Sequence, residues 1–415
     1  MRSARIIGAG LAGLAAGVRL AGAGMAVSIS EAAAQAGGRC RSYLDPQLGV
    51  MIDNGNHLVL SGNRAVRDYL AAIGASDRLA GPDEALFAFT DLGSGARWTI
   101  RPNEGRVPWW VASRRRRVPG TGVGDYIALT RLPRADPMAT IAETIPTEGP
   151  LWHGLVEPLL LAALNTPVKE GSAALAGAVI RETLAQGGRA CRPRIASPNL
   201  AATFIDPAIG FLAGKGADFR SGRRLRGIGF AADRVTSLRF ADGEIQVAPD
   251  EAVILAVPSW VAADLVPGLV VPDRHHAILN AHFMISPPAG AAPMLGVIGG
   301  VTQWIFAFPD RLSVTVSAAD DLREAEREAL AGRIWSEVSA VLGFAASLPK
   351  WQIVREQRAT FAATPAQDRR RPPVATRWRN LFLAGDWTQT GLPATIEGAI
   401  RSGNVAADLA LTRED

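Results

Sequence analysis

Gly8, Gly10 and Gly13 stand at GxGxxG spacing, and the acid Glu31 follows about twenty residues on. That arrangement can hold a dinucleotide. The first glycine permits a tight turn, the second lets backbone approach a pyrophosphate, and the third packs a helix on a strand. Leu11 and Ala12 open that helix, whose amino end favours negative charge, and Glu31 is the expected ribose partner. Gly37, Gly38 and Arg39 then offer a second backbone approach and a guanidinium fork beside the phosphates. Further along, "DNGNH" brings Asp53, Asn56 and His57 together. An imidazole titrates near neutrality, so His57 is a candidate for proton transfer; the other reading is a histidine that only hydrogen-bonds a ligand or backbone. Asp53 reads as the anchor of the turn, and His282 in "NAHF" is a weaker candidate acid.

Elements of the right kind surround these residues. Ile6 and Ile7 form a strand, a helix runs to about Ala23, Gly24 ends it, and "MAVSIS" alternates as a second strand closing on Glu31. The glycines of "GTGVGD" at 120–125 lack such a context, because Pro119 and arginines precede them. Near the other end, Leu381, Phe382 and Leu383 make a short apolar run expected to be buried on both faces. A Gly385-Asp386 turn follows. The sequence then predicts a helix with Pro393 in its first turn and Ile396, Ala399, Ile400 and Gly403 at helical spacing. Gly398 and Gly403 would let another backbone or a flat ligand come close, and Glu397 suits a helix dipole better than acid catalysis.

The motifs in order, GxGxxG, Glu31, "GGR", "IDNGNH" and the terminal "GD…IEGAIRSG", resemble the amine oxidase and phytoene desaturase superfamily of FAD enzymes. Within it, "IDNGNHLVLSGN", "PWWV", "LNTP" and "GDWTQTGLPATIEGAIRSG" are similar to the squalene-associated, FAD-dependent hydroxysqualene dehydroxylases of hopanoid biosynthesis. The resemblance implies an α/β fold, with a discontinuous Rossmann-like FAD domain from 1–60, 201–265 and 375–415. An α+β substrate domain would come from 61–200 and 266–374. It implies noncovalent FAD held by Gly8, Gly10, Leu11, Ala12, Gly13, Glu31, Gly38, Arg39, Asn54, Gly55, Gly385, Asp386, Thr395 and Ile396. Leu225 would cover the adenine or simply pack in the core. Asp386 would reach the ribityl or pyrophosphate part, and the helix at Thr395 and Ile396 would aim its amino end at the edge of the flavin where charge builds on reduction. The implied reaction removes the allylic hydroxyl of hydroxysqualene reductively to give squalene, with Asn56 and His57 where the chain passes the flavin ring and Asn56 in contact with the flavin or the hydroxyl.

The remaining chain sets limits. At 415 residues and 48% hydrophobic it is a globular chain with room for two domains. Two cysteines are too few for a disulfide framework, so a reducing, cytoplasmic setting is expected. The glycines and Arg19 in the first apolar segment argue against a secretory signal. No second nucleotide-binding unit is seen, so electrons must come from an external donor. The net charge of +5 is carried by arginine, with lysine only at 169, 215 and 350. "RRRR" at 114–117 follows Trp109 and Trp110, which suits either a docking loop on the inner face of a membrane or a solvated charge run. Contact with the upstream synthase is the alternative source of substrate; nucleic acid and metal are not expected partners. No run reads as a membrane span, and 155–164 reads as core or tunnel lining broken by Glu157 and Pro158. His275 and His276 read as a solvated pair. Two other readings compete: an oxidative desaturase or amine oxidase, and an isoprenoid-binding protein on the same scaffold.

Overall fold

In a computed structural model that describes residues 3–344 and 347–412, the two ends of the chain meet in one sheet. Strands Asp218–Arg220, Ala26–Ser30, Ser3–Ile7, Glu251–Leu255 and Leu381–Leu383 lie side by side in that order, with all neighbours parallel. A parallel sheet is covered on both faces, which is why Ala252–Leu255 and Leu381–Leu383 read as continuous apolar runs. Alternation divides the strands. Ile6, Ile29, Ile254 and Phe382 pack with helices Leu11–Gly22 and Ile396–Thr412. Ile7, Val253, Leu255, Leu381 and Leu383 pack instead with Leu225, Val235, Leu238 and Phe240. These last four belong to an antiparallel meander of Leu225–Ala231, Arg234–Phe240 and Gly243–Gln246.

A second, seven-stranded sheet runs Trp351–Phe361, His275–Phe283, Leu312–Val316, Trp304–Ala307, Met294–Ile298, Phe87–Asp91 and Arg97–Ile100. Only the pair Met294–Ile298 and Phe87–Asp91 is parallel. On one face Leu279, Ala281, Phe283 and Val314 pack with Ile334, Trp335 and Val338 of helix Arg327–Leu342. The opposite face is where the site lies.

Local chemistry moves several boundaries from those the sequence suggests. The sequence reads as a buried strand from Val253 to Val257; the strand is instead Glu251–Leu255, and it starts where Glu251 pairs with Arg5 at 2.9 Å and the ladder to Ser3 begins. The last helix begins at Ile396, because the Thr395 hydroxyl accepts the Gly398 amide at 3.0 Å and caps it; Pro393 stays outside. His275 and His276 are not a solvated pair. Successive strand residues face opposite sides, and His276 is buried with its Nδ1 against Asp320. The break at Glu157-Pro158 is real but starts a helix, Glu157–Leu164, behind a π-turn at Trp152–Val156. Proline has no amide to give to the Gly154 carbonyl, which accepts the Trp98 indole at 3.2 Å instead.

Candidate functional site

Gly8 turns at φ +106°, and a Cβ there would lie 2.3 Å from the Ala256 carbonyl oxygen, so only glycine fits between the strand ends. A Cβ on Gly13 would lie 2.0 Å from the Gly8 oxygen, which seats the helix on the turn. Gly10 faces open space. It starts helix Leu11–Gly22 with no side-chain cap and no acid in the first turn, leaving the amides of Leu11 and Ala12 for an anion. The Gly37-Gly38 turn closes the other side: Gly37 donates to the Ala9 carbonyl at 2.8 Å, and Gly38 sits against the Gly10 Cα. Glu31, at the end of Ala26–Ser30, accepts the Ala9 amide at 2.7 Å and the Ala33 amide at 2.8 Å. The Arg223 amide donates to the Glu31 carbonyl at 2.7 Å, which brings the start of the meander to this end of the site. Leu225 itself is buried in the apolar cluster with Ile7.

The carboxy-terminal turn completes the floor. Asp386 is buried and its Oδ1 accepts from Arg39 Nη2 at 2.6 Å, so "GGR" and "GD" are joined by an ion pair across 347 residues of chain. Arg39 also donates to the Ala359 carbonyl. Arg371, almost wholly buried over the Phe361 ring, donates to the Asp386 carbonyl at 3.1 Å and to the Thr390 hydroxyl at 2.6 Å. Gly385 donates to Ser402 at 3.0 Å and so ties the turn to helix Ile396–Thr412. Thr395 and Ile396 open that helix as its cap and buried first residue. Glu397 serves a different dipole from its own: it accepts the Ala65 and Val66 amides at 3.0 and 2.9 Å, at the amino end of helix Arg64–Ala72.

The "DNGNH" loop crosses above this floor. Asp53 accepts the Ser42 hydroxyl at 2.5 Å and the Leu200 amide at 3.0 Å, an anchor as its position suggests, and burial raises its pKa. Asn54 points its Nδ2 to Glu356 at 3.2 Å, and a Cβ on Gly55 would lie 3.1 Å from Asn280. His57 lies beside the Arg39–Asp386 pair. Burial, then the charge of Arg39, pushes its pKa down to about 4, so the imidazole is neutral at pH 7. The titration near neutrality that singled His57 out in the sequence is absent here.

Asn56 meets the polar face of the seven-stranded sheet. Cross-strand register sets Asn280 opposite Thr315 and His282 opposite Ser313. Thr315 donates to Asn280 Oδ1 at 2.8 Å, so its oxygen accepts from Asn56 Nδ2 at 3.0 Å. Ser313 accepts from the same Nδ2 at 2.8 Å and gives its hydrogen to His282 Nδ1, also at 2.8 Å. Both amide hydrogens of Asn56 are therefore directed into the sheet. Its Oδ1 is left buried with no partner among the described residues. His282 is fully buried and its pKa is pushed down to about 3, mainly by burial and then by Arg311, so it is a neutral member of this network. Sequence reasoning missed Asn280, Ser313 and Thr315. Their signal was polar residues at alternate positions in the apolar runs "ILNAHF" and "LSVTV".

Two further features have structural rather than chemical work. In "LNTP", Asn165 takes the left-handed conformation at φ 47°, donates to Thr360 at 2.9 Å and accepts the Ala318 amide at 2.6 Å. Thr166 accepts the Ala363 amide at 2.8 Å, so the motif fastens helix Glu157–Leu164 to the sheet. Cys40 and Cys191 are buried, and burial pushes both thiols up to about 12. Among the described residues no group of acids, histidines and cysteines could hold a metal, and no helix is long and apolar enough to cross a membrane.

Comparison with known proteins gives this geometry its context. The family described as flavin containing amine oxidoreductase matches residues 11–286 and 295–411. A hydroxysqualene dehydroxylase of Rhodopseudomonas palustris is 54% identical, with 99% of this chain and 98% of that one aligned. One from Zymomonas mobilis is 50% identical over 99% and 100%. An oxidoreductase from Methanosarcina mazei superposes with a TM-score of 0.74 at 14% identity over 98% and 100% of the two chains, a likeness of fold alone. By that match and these near full-length relatives, the chain belongs to the flavin containing amine oxidoreductase family.

Proposed function

We propose that the protein is an FAD-dependent hydroxysqualene dehydroxylase. The near full-length identity of 54% to a hydroxysqualene dehydroxylase carries the substrate. The residues fit a noncovalent FAD. The uncapped helix start at Leu11 and Ala12, with the open side of Gly10, would take the diphosphate; Glu31 would take the ribose. Arg39, Asp386, Gly385, Thr395 and Ile396 would line the ribityl and flavin end, and Asn54 and Gly55 the loop above it. A reduced flavin held there supplies the hydride that replaces the hydroxyl. Overall, hydroxysqualene, two electrons and two protons give squalene and water, and an external donor restores the electrons.

The chain's own residues have three tasks. Asn56 presents its unpartnered Oδ1 as an acceptor for the substrate hydroxyl, held in place by Ser313, Thr315 and Asn280. His57, neutral at pH 7, adds a hydrogen bond beside it. The buried apolar cluster that holds Trp110, Trp152, Trp304 and Trp387 would exclude the water that would recapture an allylic cation. An amine oxidase of this superfamily is expected to place a lysine near the flavin, and Lys169, Lys215 and Lys350 are all exposed.

The test is anaerobic. The purified flavoprotein is reduced chemically, hydroxysqualene is added, and flavin reoxidation is followed together with squalene by mass spectrometry. Stoichiometric squalene is expected. A flavin that stays reduced over untouched substrate refutes the reading and favours a desaturase, to be sought with oxidised enzyme and squalene.

A further inference from the structure

Half of the large apolar side chains exposed among the described residues lie on one stretch, while Leu44, Met51, Val270, Val405 and Leu411 are exposed elsewhere. Val107 is 75% exposed, Ile127 63% and Trp109 54%, and Val123 and Met138 are also exposed. They do not belong to a loose tail. The turn Trp109–Ala112 and helix Val123–Ile127 are locked from beneath by Trp110 and Tyr126, whose rings meet edge to face at 5.3 Å. The Tyr126 hydroxyl in turn accepts the Val118 amide at 3.1 Å. Burying Trp110 and Tyr126 leaves their neighbours Trp109 and Ile127 on the outside.

The same stretch, residues 101–138, holds eight arginines and three acids, an excess as large as that of the whole chain. The acids are engaged. Glu104 pairs with Arg192 at 2.9 Å, Asp125 accepts the Gly122 amide and Asp136 accepts the Met138 amide. Some arginines elsewhere, such as Arg5, Arg223 and Arg401, have carboxylate partners, and others, such as Arg226, Arg358 and Arg369, do not among the described residues; what marks this stretch is that its arginines lie beside exposed apolar side chains. Among the described residues, Arg101, Arg106, Arg114, Arg115, Arg116, Arg117, Arg131 and Arg134 have no carboxylate partner, and Arg116 lies 4.7 Å over the Trp109 ring. Arg117 donates to the Val111 carbonyl at 2.7 Å; guanidiniums without carboxylate partners around protruding aromatic and aliphatic side chains complement a surface with anionic headgroups above hydrocarbon.

We propose that this face docks the protein on an anionic lipid bilayer, with Trp109 and Ile127 inserted at the headgroup boundary and Arg114–Arg117 on the phosphates. Its purpose rests on the proposed reaction, because a hydrocarbon of about thirty carbons is held almost wholly in lipid. The surface itself is read from charge and exposure.

The FAD-loaded protein is floated with vesicles of phosphatidylcholine alone, or of phosphatidylcholine mixed with phosphatidylglycerol. The protein binds the mixed vesicles at least about tenfold more tightly, and salt weakens the difference. Changing Arg114 to Arg117 to serine removes the preference, and Trp109→Ser with Ile127→Ser weakens binding to both vesicles. All variants keep their flavin and their turnover of detergent-dispersed substrate. Arg114→Ser with Arg115→Ser is the milder variant, since neither side chain makes a hydrogen bond or ion pair among the described residues. Equal binding to both vesicles, or a preference that survives both arginine variants, overturns the proposal. So does a protein that fails to float yet is retained by the upstream synthase. A protein that binds mixed vesicles but leaves hydroxysqualene untouched supports the docking face and sinks the reaction.

Discussion

Gly403→Ala tests whether the approach of two helices sets the cofactor site. Its new Cβ would lie 2.1 Å from the Ala12 carbonyl oxygen and 3.1 Å from the Ala16 amide nitrogen. An ordinary contact needs about 3.4 Å, so helix Ile396–Thr412 must move off helix Leu11–Gly22 by roughly 1 Å. Both atoms met are backbone and cannot rotate away. Overpacking of this kind costs about 3 kcal/mol, and the better helix propensity of alanine returns about 1, for a net loss of about 2 kcal/mol. Ala12 is in the first turn, where the diphosphate is proposed to bind, so FAD affinity should fall by about tenfold or more with that displacement. Thermal unfolding read by flavin release, and titration of the apoprotein with FAD, measure the two effects. Gly332→Ala is the control. It lies inside helix Arg327–Leu342 with no atom within 4 Å of the added carbon, and should stabilise by up to about 1 kcal/mol. A Gly403→Ala protein that melts and binds FAD like the wild type refutes the reasoning.

Glu397→Ala strips two amides of helix Arg64–Ala72 of their acceptor and leaves Arg401 with Glu182 alone, so it should destabilise by about 2 kcal/mol while turnover per bound flavin holds. Lost turnover at unchanged stability would return Glu397 to the list of acids. His57→Gln keeps a hydrogen-bonding group but cannot titrate; because the imidazole is already neutral at pH 7, kcat should stay within about threefold, and a loss of 100-fold or more would show that His57 moves a proton. His282 has a folded pKa of about 3 against an ordinary 6.5, so the unfolded chain takes up its proton first as pH falls. Stability from this residue is whole above pH 6.5 and declines toward pH 3, by about 2 kcal/mol at pH 5. Urea midpoints of wild type and His282→Asn at pH 7 and 5 should diverge accordingly, and parallel shifts would disprove it.

The local sequence determined the glycine turn with its flanking strand and helix, and the fold class. Gly8, Gly10, Gly13 and Glu31 work through neighbours along one strand, turn and helix, and the apolar run at Leu381–Leu383 is visible without knowing its partners. Within that unit, spacing and alternation are sufficient, because the forces are short-ranged. Boundaries shifted where a single side chain intervened, as with Thr395 at the last helix and Glu251 at the buried strand. The sequence also noticed Glu397 but assigned it to its own helix, since it carries no sign that the amino end of Arg64–Ala72 would arrive from 332 residues away. Only the tertiary structure decided the surroundings of the "DNGNH" loop. Asn56 meets Asn280, Ser313 and Thr315 at separations of 224, 257 and 259 residues, through a strand register that no local pattern encodes. It likewise decided the charge on His57: residue type gives an imidazole that titrates near neutrality, while burial beside Arg39 makes it neutral.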